Sequence, residues 1–221
     1  RRVDGHPMTE PATLLKRPSV WVLILIGAIG GLLSGTFGIG GGIIVVPLLM
    51  VLANFDQRRA SATSLLAIVP SGIAGGATYL SQGYVDFVAV LAISGGAIVG
   101  ALVGAALLKR LPIWWLRWGF IALMLAVAVR LAFLEPERGQ GPTLTVGLVL
   151  AYVVIGLVTG LCSGLFGIGG AIVAVPALIA IVGMNDLIAK GSTLFVVVVS
   201  SATGTIANHR GGLVDWRAGA V

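Results

Sequence analysis

Long apolar runs separated by short polar punctuation organise this chain. They fall at about 20–35, 43–55, 61–80, 87–108, 113–134, 144–163, 171–183 and 188–207. A helix rises about 1.5 Å per residue, so roughly 20 residues cross an apolar layer about 30 Å thick. The runs 61–80, 87–108, 113–134 and 144–163 reach that length. The runs 43–55 and 171–183 have 13 residues each, and each follows a glycine-rich interruption. Each short run predicts either a tilted crossing or a re-entrant return from mid-membrane, and the sidedness of later loops is the same either way. The fold class expected is all-α: a polytopic transmembrane helical bundle with broken or re-entrant helices at the glycine-rich motifs.

Composition narrows the picture. Of 221 residues, 57% are hydrophobic and 10% are charged, whereas a soluble domain carries about a quarter charged residues. Too few polar side chains remain to cover a water-facing surface, which excludes a soluble enzyme and a disordered chain. The single Cys162 excludes a disulfide scaffold. Thirty-three glycines suit membrane helices whose backbones approach closely. The net charge of +6 does not point to nucleic acid, because no basic residues cluster with aromatics on one helical face. It reads instead as positive-inside topology.

With Arg1, Arg2, Lys16 and Arg17 in the cytoplasm, Arg58, Arg59, Lys109, Arg110, His209, Arg210 and Arg217 also fall inside. The outside receives Ser81–Asp86, which has no cation, and Glu135–Pro142; Lys190 is the exception. This places the chain in the cytoplasmic membrane, multi-pass, with its N-terminus inside. Residues 1–19 are polar and lack an apolar signal core followed by a cleavage site, so they read as a cytoplasmic tail.

The chain also repeats itself at an offset of 129 residues. Gly31–Pro47 and Gly160–Pro176 agree at twelve of seventeen positions without a gap. The same offset pairs Thr63-Ser64-Leu65 with Ser192-Thr193-Leu194, and Gly83-x-Val85-Asp86 with Gly212-x-Val214-Asp215. One offset held across separate blocks marks a duplicated membrane unit. The first glycine break is entered from inside and the second from outside, so the two repeats are expected to be inverted. Repeat one covers 20–143 and repeat two 144–221; segments 92–134 have no counterpart before Val221, so repeat two reads as truncated by about two helices.

The chemistry concentrates at the breaks. Gly35-Thr36-Phe37-Gly38-Ile39-Gly40-Gly41-Gly42 and Gly164-Leu165-Phe166-Gly167-Ile168-Gly169-Gly170-Ala171 weaken a helix by about 1 kcal/mol per glycine. Unwound backbone survives in lipid only against protein or a polar cavity, and matched interruptions in two halves point to a transporter's binding site. Helices restarting near Ile43 and Ile172 would aim free N–H groups at an anion; tight helix crossing is the plainer use of the same glycines. The hydroxyl pairs Thr63-Ser64 and Ser192-Thr193 are read as starting the next helices. They would either donate to an oxyanion or cap and bond their own backbone. Ser34 and Ser163 sit in G-x-x-x-G spacings and lean toward packing.

Asp86 and Asp215 stand at equivalent span entries, as helix N-terminal acids or as gating or proton-linked carboxylates. Gly96, Gly100 and Gly104 form a packing stripe, Pro47 and Pro176 are structural, and Arg130 snorkels. No nucleotide loop, hydrolase elbow, buried carboxylate relay or metal cluster is encoded, so no enzyme, cofactor or metal is expected.

The doubled G-x-x-S-G-x-x-G-I-G-G pattern resembles the sulfite exporter TauE/SafE family. So do Ala62-Thr63-Ser64-Leu65 and Gly191-Ser192-Thr193-Leu194, with Gly83-Tyr84-Val85-Asp86-Phe87 and Gly212-Leu213-Val214-Asp215-Trp216. Ala62 in place of a glycine and the swapped Ser192-Thr193 are departures. The resemblance covers about 20–221. It implies secondary transport of small sulfur-containing anions such as sulfite, thiosulfate or organosulfonates. The expected binding residues are Ser34, Thr36, Gly38, Gly40, Gly41, Gly42, Thr63, Ser64, Ser163, Gly167, Gly169, Gly170, Ser192 and Thr193, and the gating or coupling candidates are Asp86 and Asp215. A passive anion channel on the same scaffold is the alternative. Expected partners are the lipid bilayer, the anion and a coupling proton or ion; no pattern speaks to oligomeric state.

Overall fold

The computed structural model describes residues 20–37, 41–133 and 145–220. The tail 1–19, the loop 135–142 and the glycines Gly38 and Gly40 lie outside the described residues, as do the side chains of Ser34, Thr36 and Arg130. The described chain is helical and without strands. In order come α1 (Val20–Phe37), α2 (Gly42–Leu52), α3 (Gln57–Ser81), α4 (Phe87–Arg110), α5 (Ile113–Phe133), α6 (Val146–Phe166), α7 (Ala171–Val182), α8 (Asp186–His209) and α9 (Trp216–Ala220). Helices α3, α4, α6 and α8 are each long and apolar enough to cross a membrane. Outward faces stay apolar: Leu91, Leu125, Leu150 and Ile181 are exposed, as a lipid-facing surface requires. Trp114, Trp115 and Trp118 stand exposed at the start of α5, beside Arg110 and Arg117, where an interfacial aromatic belt would lie.

The 129-residue offset recurs in the elements themselves. Helices α2 and α7 begin at Gly42 and Ala171, α3 and α8 at Gln57 and Asp186, and α4 and α9 at Phe87 and Trp216. Capping repeats with them. Asp86 Oδ1 accepts from the N–H groups of Val88 and Ala89, and Asp215 Oδ1 from those of Arg217 and Ala218. One expectation needs correcting. The pairs Thr63-Ser64 and Ser192-Thr193 do not start α3 and α8 but lie almost two turns inside them. Asp56 and Asn185 are the caps, accepting from the N–H of Arg59 and of Leu187, because a polar residue before the first turn satisfies its orphan donors.

Both short helices turn back. Leu23 and Ile26, near the start of α1, share one core cluster with Leu49 of α2, then Ala53, Phe55 and the α3 residue Ala60. Tyr152 and Ile155 of α6 share another with Leu178 of α7, then Met184 and the α8 residue Ala189. Thus α1–α2 and α6–α7 are each antiparallel hairpins. The first opens where α3 begins and α4 ends, since Arg58 donates to the carbonyl of Leu111 at 2.6 Å. The second opens where α4 and α8 begin, with Ala89 and Ala189 in its cluster.

Glycine sets the closest crossing. Helices α4 and α6 run parallel, with Gly96, Gly100 and Gly104 against Val153–Leu165 and Gly156, Gly160 and Gly164 against Ile93–Ala105. A Cβ at any of the six would strike the partner's backbone carbonyl. The stripe does serve packing, and Ala in its place would force the two backbones apart.

Candidate functional site: two hairpin tips in contact

The second break is built from left-handed backbone. Gly167, Gly169 and Gly170 have φ of 72°, 74° and 82°, a region closed to most L-residues. Its carbonyls are engaged: Ser64 Oγ donates to Gly167 O at 2.6 Å and Ser200 Oγ to Gly169 O at 3.2 Å. Gly170 O accepts from Val173 and Ala174. The N–H groups are not. Gly167 N–H donates back to Ser163 O, but among the described residues nothing accepts from Ile168, Gly169, Gly170, Ala171 or Ile172. All five are buried. Unpaired buried donors cost on the order of 1–3 kcal/mol each, yet here five follow in sequence at the N-terminus of α7. Left-handed turns at a positive helix end form a concave donor set suited to an anion.

The first break meets the second. A Cβ at Gly42 would strike Ile168 Cα and lie 2.6 Å from Gly167 O, so only glycine lets these tips touch. Gly41 is left-handed, with φ 63°, and its carbonyl accepts from Ile44 and Val45. The N–H groups of Gly42 and Ile43 have no partner among the described residues. The two donor-rich ends thus converge, flanked by Ile68, Ala171 and Val197.

The hydroxyl pairs divide their labour, since neighbours on a helix point about 100° apart. Ser64 faces the break. Thr193, its counterpart, is buried, and its Oγ1 has no partner among the described residues. Ser163 is likewise buried with an unpartnered Oγ. Thr63 and Ser192 face elsewhere: Thr63 Oγ1 accepts from Asp215 N–H at 3.1 Å and Ser192 Oγ from Asp86 N–H at 2.9 Å. These are reciprocal latches between the repeats, each accepting hydroxyl leaving its own proton free to donate. Ser34 and Thr36 fall in the last turns of α1.

Six polar residues near the break escaped the sequence reading: Thr159, which abuts Gly170, and Ser61, Ser200, Ser201, Thr205 and Asn208, all buried. The spacing Ser201, Thr205, Asn208 (i, i+4, i+7) within an apolar span was the available signal. Among the described residues no three His, Cys, Asp or Glu side chains gather as a metal site would require.

Among the described residues charge is confined to the bundle ends. Arg59 pairs with Asp215 at 2.6 Å and stacks 4.5 Å from the Phe55 ring. Burial pushes the Asp215 carboxyl up, but N–H donation from Ala218, the hydrogen bond and charge of Arg59, and Arg217 N–H together hold it below the usual carboxylate value. Asp86 has an equivalent cap, while the nearby Lys190 pairs instead with Asp186 at 2.7 Å.

Comparison with known proteins identifies the family. The family model described as sulfite exporter TauE/SafE matches residues 4–131 and 152–221. A protein named probable membrane transporter protein YunE, from Bacillus subtilis, is 27% identical over 88% of this chain and 80% of its own. Probable membrane transporter proteins from Xylella fastidiosa (strain 9a5c) and Haemophilus influenzae are each 29% identical, over 90% and 80% of this chain and 77% and 68% of their own. No solved structure matches. The chain belongs to the sulfite exporter TauE/SafE family and is a membrane transporter protein.

Proposed function

We propose that this TauE/SafE-family protein is a secondary transporter of small sulfur-containing oxyanions or organosulfonates, working by alternating access. It spans the cytoplasmic membrane several times with its N-terminus inside. Its repeats are inverted, and the substrate binds where the two hairpin tips meet. One observation carries the reading: the N–H groups of five consecutive buried residues, Ile168 to Ile172, are unpartnered among the described residues beside carbonyls that Ser64 and Ser200 already hold. Such a set offers an anion hydrogen bonds without a buried cation, whose desolvation would be costly. Gly167, Gly169 and Gly170 shape it, Gly41 and Gly42 bring the opposing tip, and Ser163 and Thr193 supply hydroxyls. Ser34, Thr36, Gly38 and Gly40 are assigned to the same binding role on the sequence motif alone. Thr63 and Ser192, holding Asp215 and Asp86, join the halves that must rock, and the two carboxylates act as gating or coupling groups for a proton or ion.

Flux into liposomes tests this. Saturable uptake of sulfite, thiosulfate or sulfoacetate that follows an imposed proton or ion gradient is expected. Non-saturating flux that follows only the anion's own gradient would establish the channel reading instead. Gly169→Val, strained at φ 74° and 2.9 Å from Val197 Cγ1, should abolish transport. Normal carriage of substrate by an inserted variant removes the site assignment.

A further inference from the structure

Buried polarity in this bundle is lopsided. On α8, Ser201, Thr205 and Asn208 share one face, and Ser201 Oγ would lie 3.4 Å from a Cβ on Gly169. Ser201 Oγ, Thr205 Oγ1 and both amide atoms of Asn208 are buried and have no partner among the described residues. On α3, Gln57 and Ser61 keep the same spacing of four residues, with Gln57 Nε2 and Ser61 Oγ also buried and unpartnered. The helices pack antiparallel, with Gly72 against Val198 and Gly76 against Phe195, so both polar faces lie in the same half of the bundle. Gly167 packs on the backbone of Ser61, which joins that half to the break. In the opposite half of the α3–α8 seam the facing contacts are apolar, with Gly72, Gly75 and Gly76 against Leu194, Phe195 and Val198. The unpartnered hydroxyls there, Thr193 Oγ1 on α8 and Ser94 Oγ on α4, are single groups rather than a face. At offset 129, Ser201 and Thr205 correspond to Gly72 and Gly76.

Unpaired polar atoms in a dry core cost on the order of 1–3 kcal/mol each, and apolar isosteres were available at every one of these positions. An amide with neither end engaged requires a partner that both donates and accepts, as water or a hydrated oxyanion does. The polar half ends at the basic end of the bundle, where Lys109 Nζ donates to Ala207 O at 2.8 Å and Arg58 to Leu111 O. We propose that Gln57, Ser61, Ser201, Thr205 and Asn208 line a hydrated lane along which a small oxyanion passes between the donor-rich break and the basic end. The anion's identity as cargo rests on the transport reading above; the lane itself does not.

Labelling separates the two. In a Cys162→Ala background, Ser201→Cys, Thr205→Cys and Asn208→Cys should react with a membrane-impermeant anionic thiosulfonate applied from the basic end, and Val198→Cys should not. Sulfoacetate, which unlike sulfite does not consume the thiosulfonate, should slow labelling at position 201. Ser201→Ala and Thr205→Val should each slow sulfite flux about tenfold, the worth of a lost hydrogen bond or two, without lowering the thermal midpoint. Unreactive cysteines at all three positions would overturn the lane. So would full-rate flux by Ser201→Ala and Thr205→Val with a raised midpoint, the outcome for a dry core relieved of unpaired groups. Intact labelling without saturable flux keeps the lane and removes the transporter.

Discussion

The two latches between the repeats use one geometry with different surroundings. At each, an aspartate N–H reaches a hydroxyl of the other repeat while its carboxylate caps its own helix. Among the described residues only the Asp215 latch has a cation on the carboxylate, from Arg59. The Asp86 latch is closer in backbone terms: a Cβ at Gly191 would strike Tyr84 O, whereas the equivalent residue, Ala62, is buried with its methyl accommodated. The hydrogen-bonded frame is the same at both ends, but one is a charge-held joint and the other a close-packed one. If rocking opens the two ends in turn, these joints come apart for different reasons, one by breaking an ion pair and one by separating backbones.

Substitution at the close-packed joint should have the largest effect. Gly191→Ala must push the 84–86 loop away, a loss of about 1–3 kcal/mol for overpacking, readable as a lower thermal midpoint in detergent; Ala62→Gly should cost only about 1 kcal/mol, from helix propensity. Equal effects would dissolve the contrast. Next come the hydroxyls: Ser192→Ala and Thr63→Val each leave an aspartate N–H unpaired, about 1–2 kcal/mol by the same measurement.

The ion pair adds a pH dependence to one end alone. Because the folded-state carboxyl of Asp215 lies below its ordinary value, its contribution is full above the unfolded value near 4 and disappears as pH falls through the folded one. Asp215→Asn should therefore flatten the acid side of the stability–pH curve, measured between about pH 5 and 2, and a curve identical to the parent's would discard the pair as a stabilising element. The smallest effect belongs to Lys190→Gln, which removes a half-exposed i,i+4 pair with Asp186 and should change stability by no more than about 0.5 kcal/mol.

Much of this frame was legible beforehand. Helix starts at Gly42 and Ala171 fall within a residue of those expected, whereas the left-handed backbone of Gly41, Gly167, Gly169 and Gly170 was not anticipated. The hydroxyl pairs were found but not sorted. Sequence adjacency suggested a shared role for Thr63 and Ser64, and a turn of about 100° sends one to Asp215 and the other to Gly167. Ser201, Thr205 and Asn208 went unnoticed because an isolated polar residue in an apolar span reads as ordinary until its neighbours in space are known.

What the amino-acid order determined by itself was everything set within a turn or two: apolar length, glycine interruption, capping, the distribution of charge between ends, and the doubling of all of these. What waited on the tertiary structure was everything set by backbones more than a hundred residues apart, such as Ser64 on Gly167 or Tyr84 against Gly191. The reason is physical. Periodicity and propensity act between covalent neighbours, but whether a short helix turns back, and whether its free N–H groups end up enclosed, depends on the packing of distant segments.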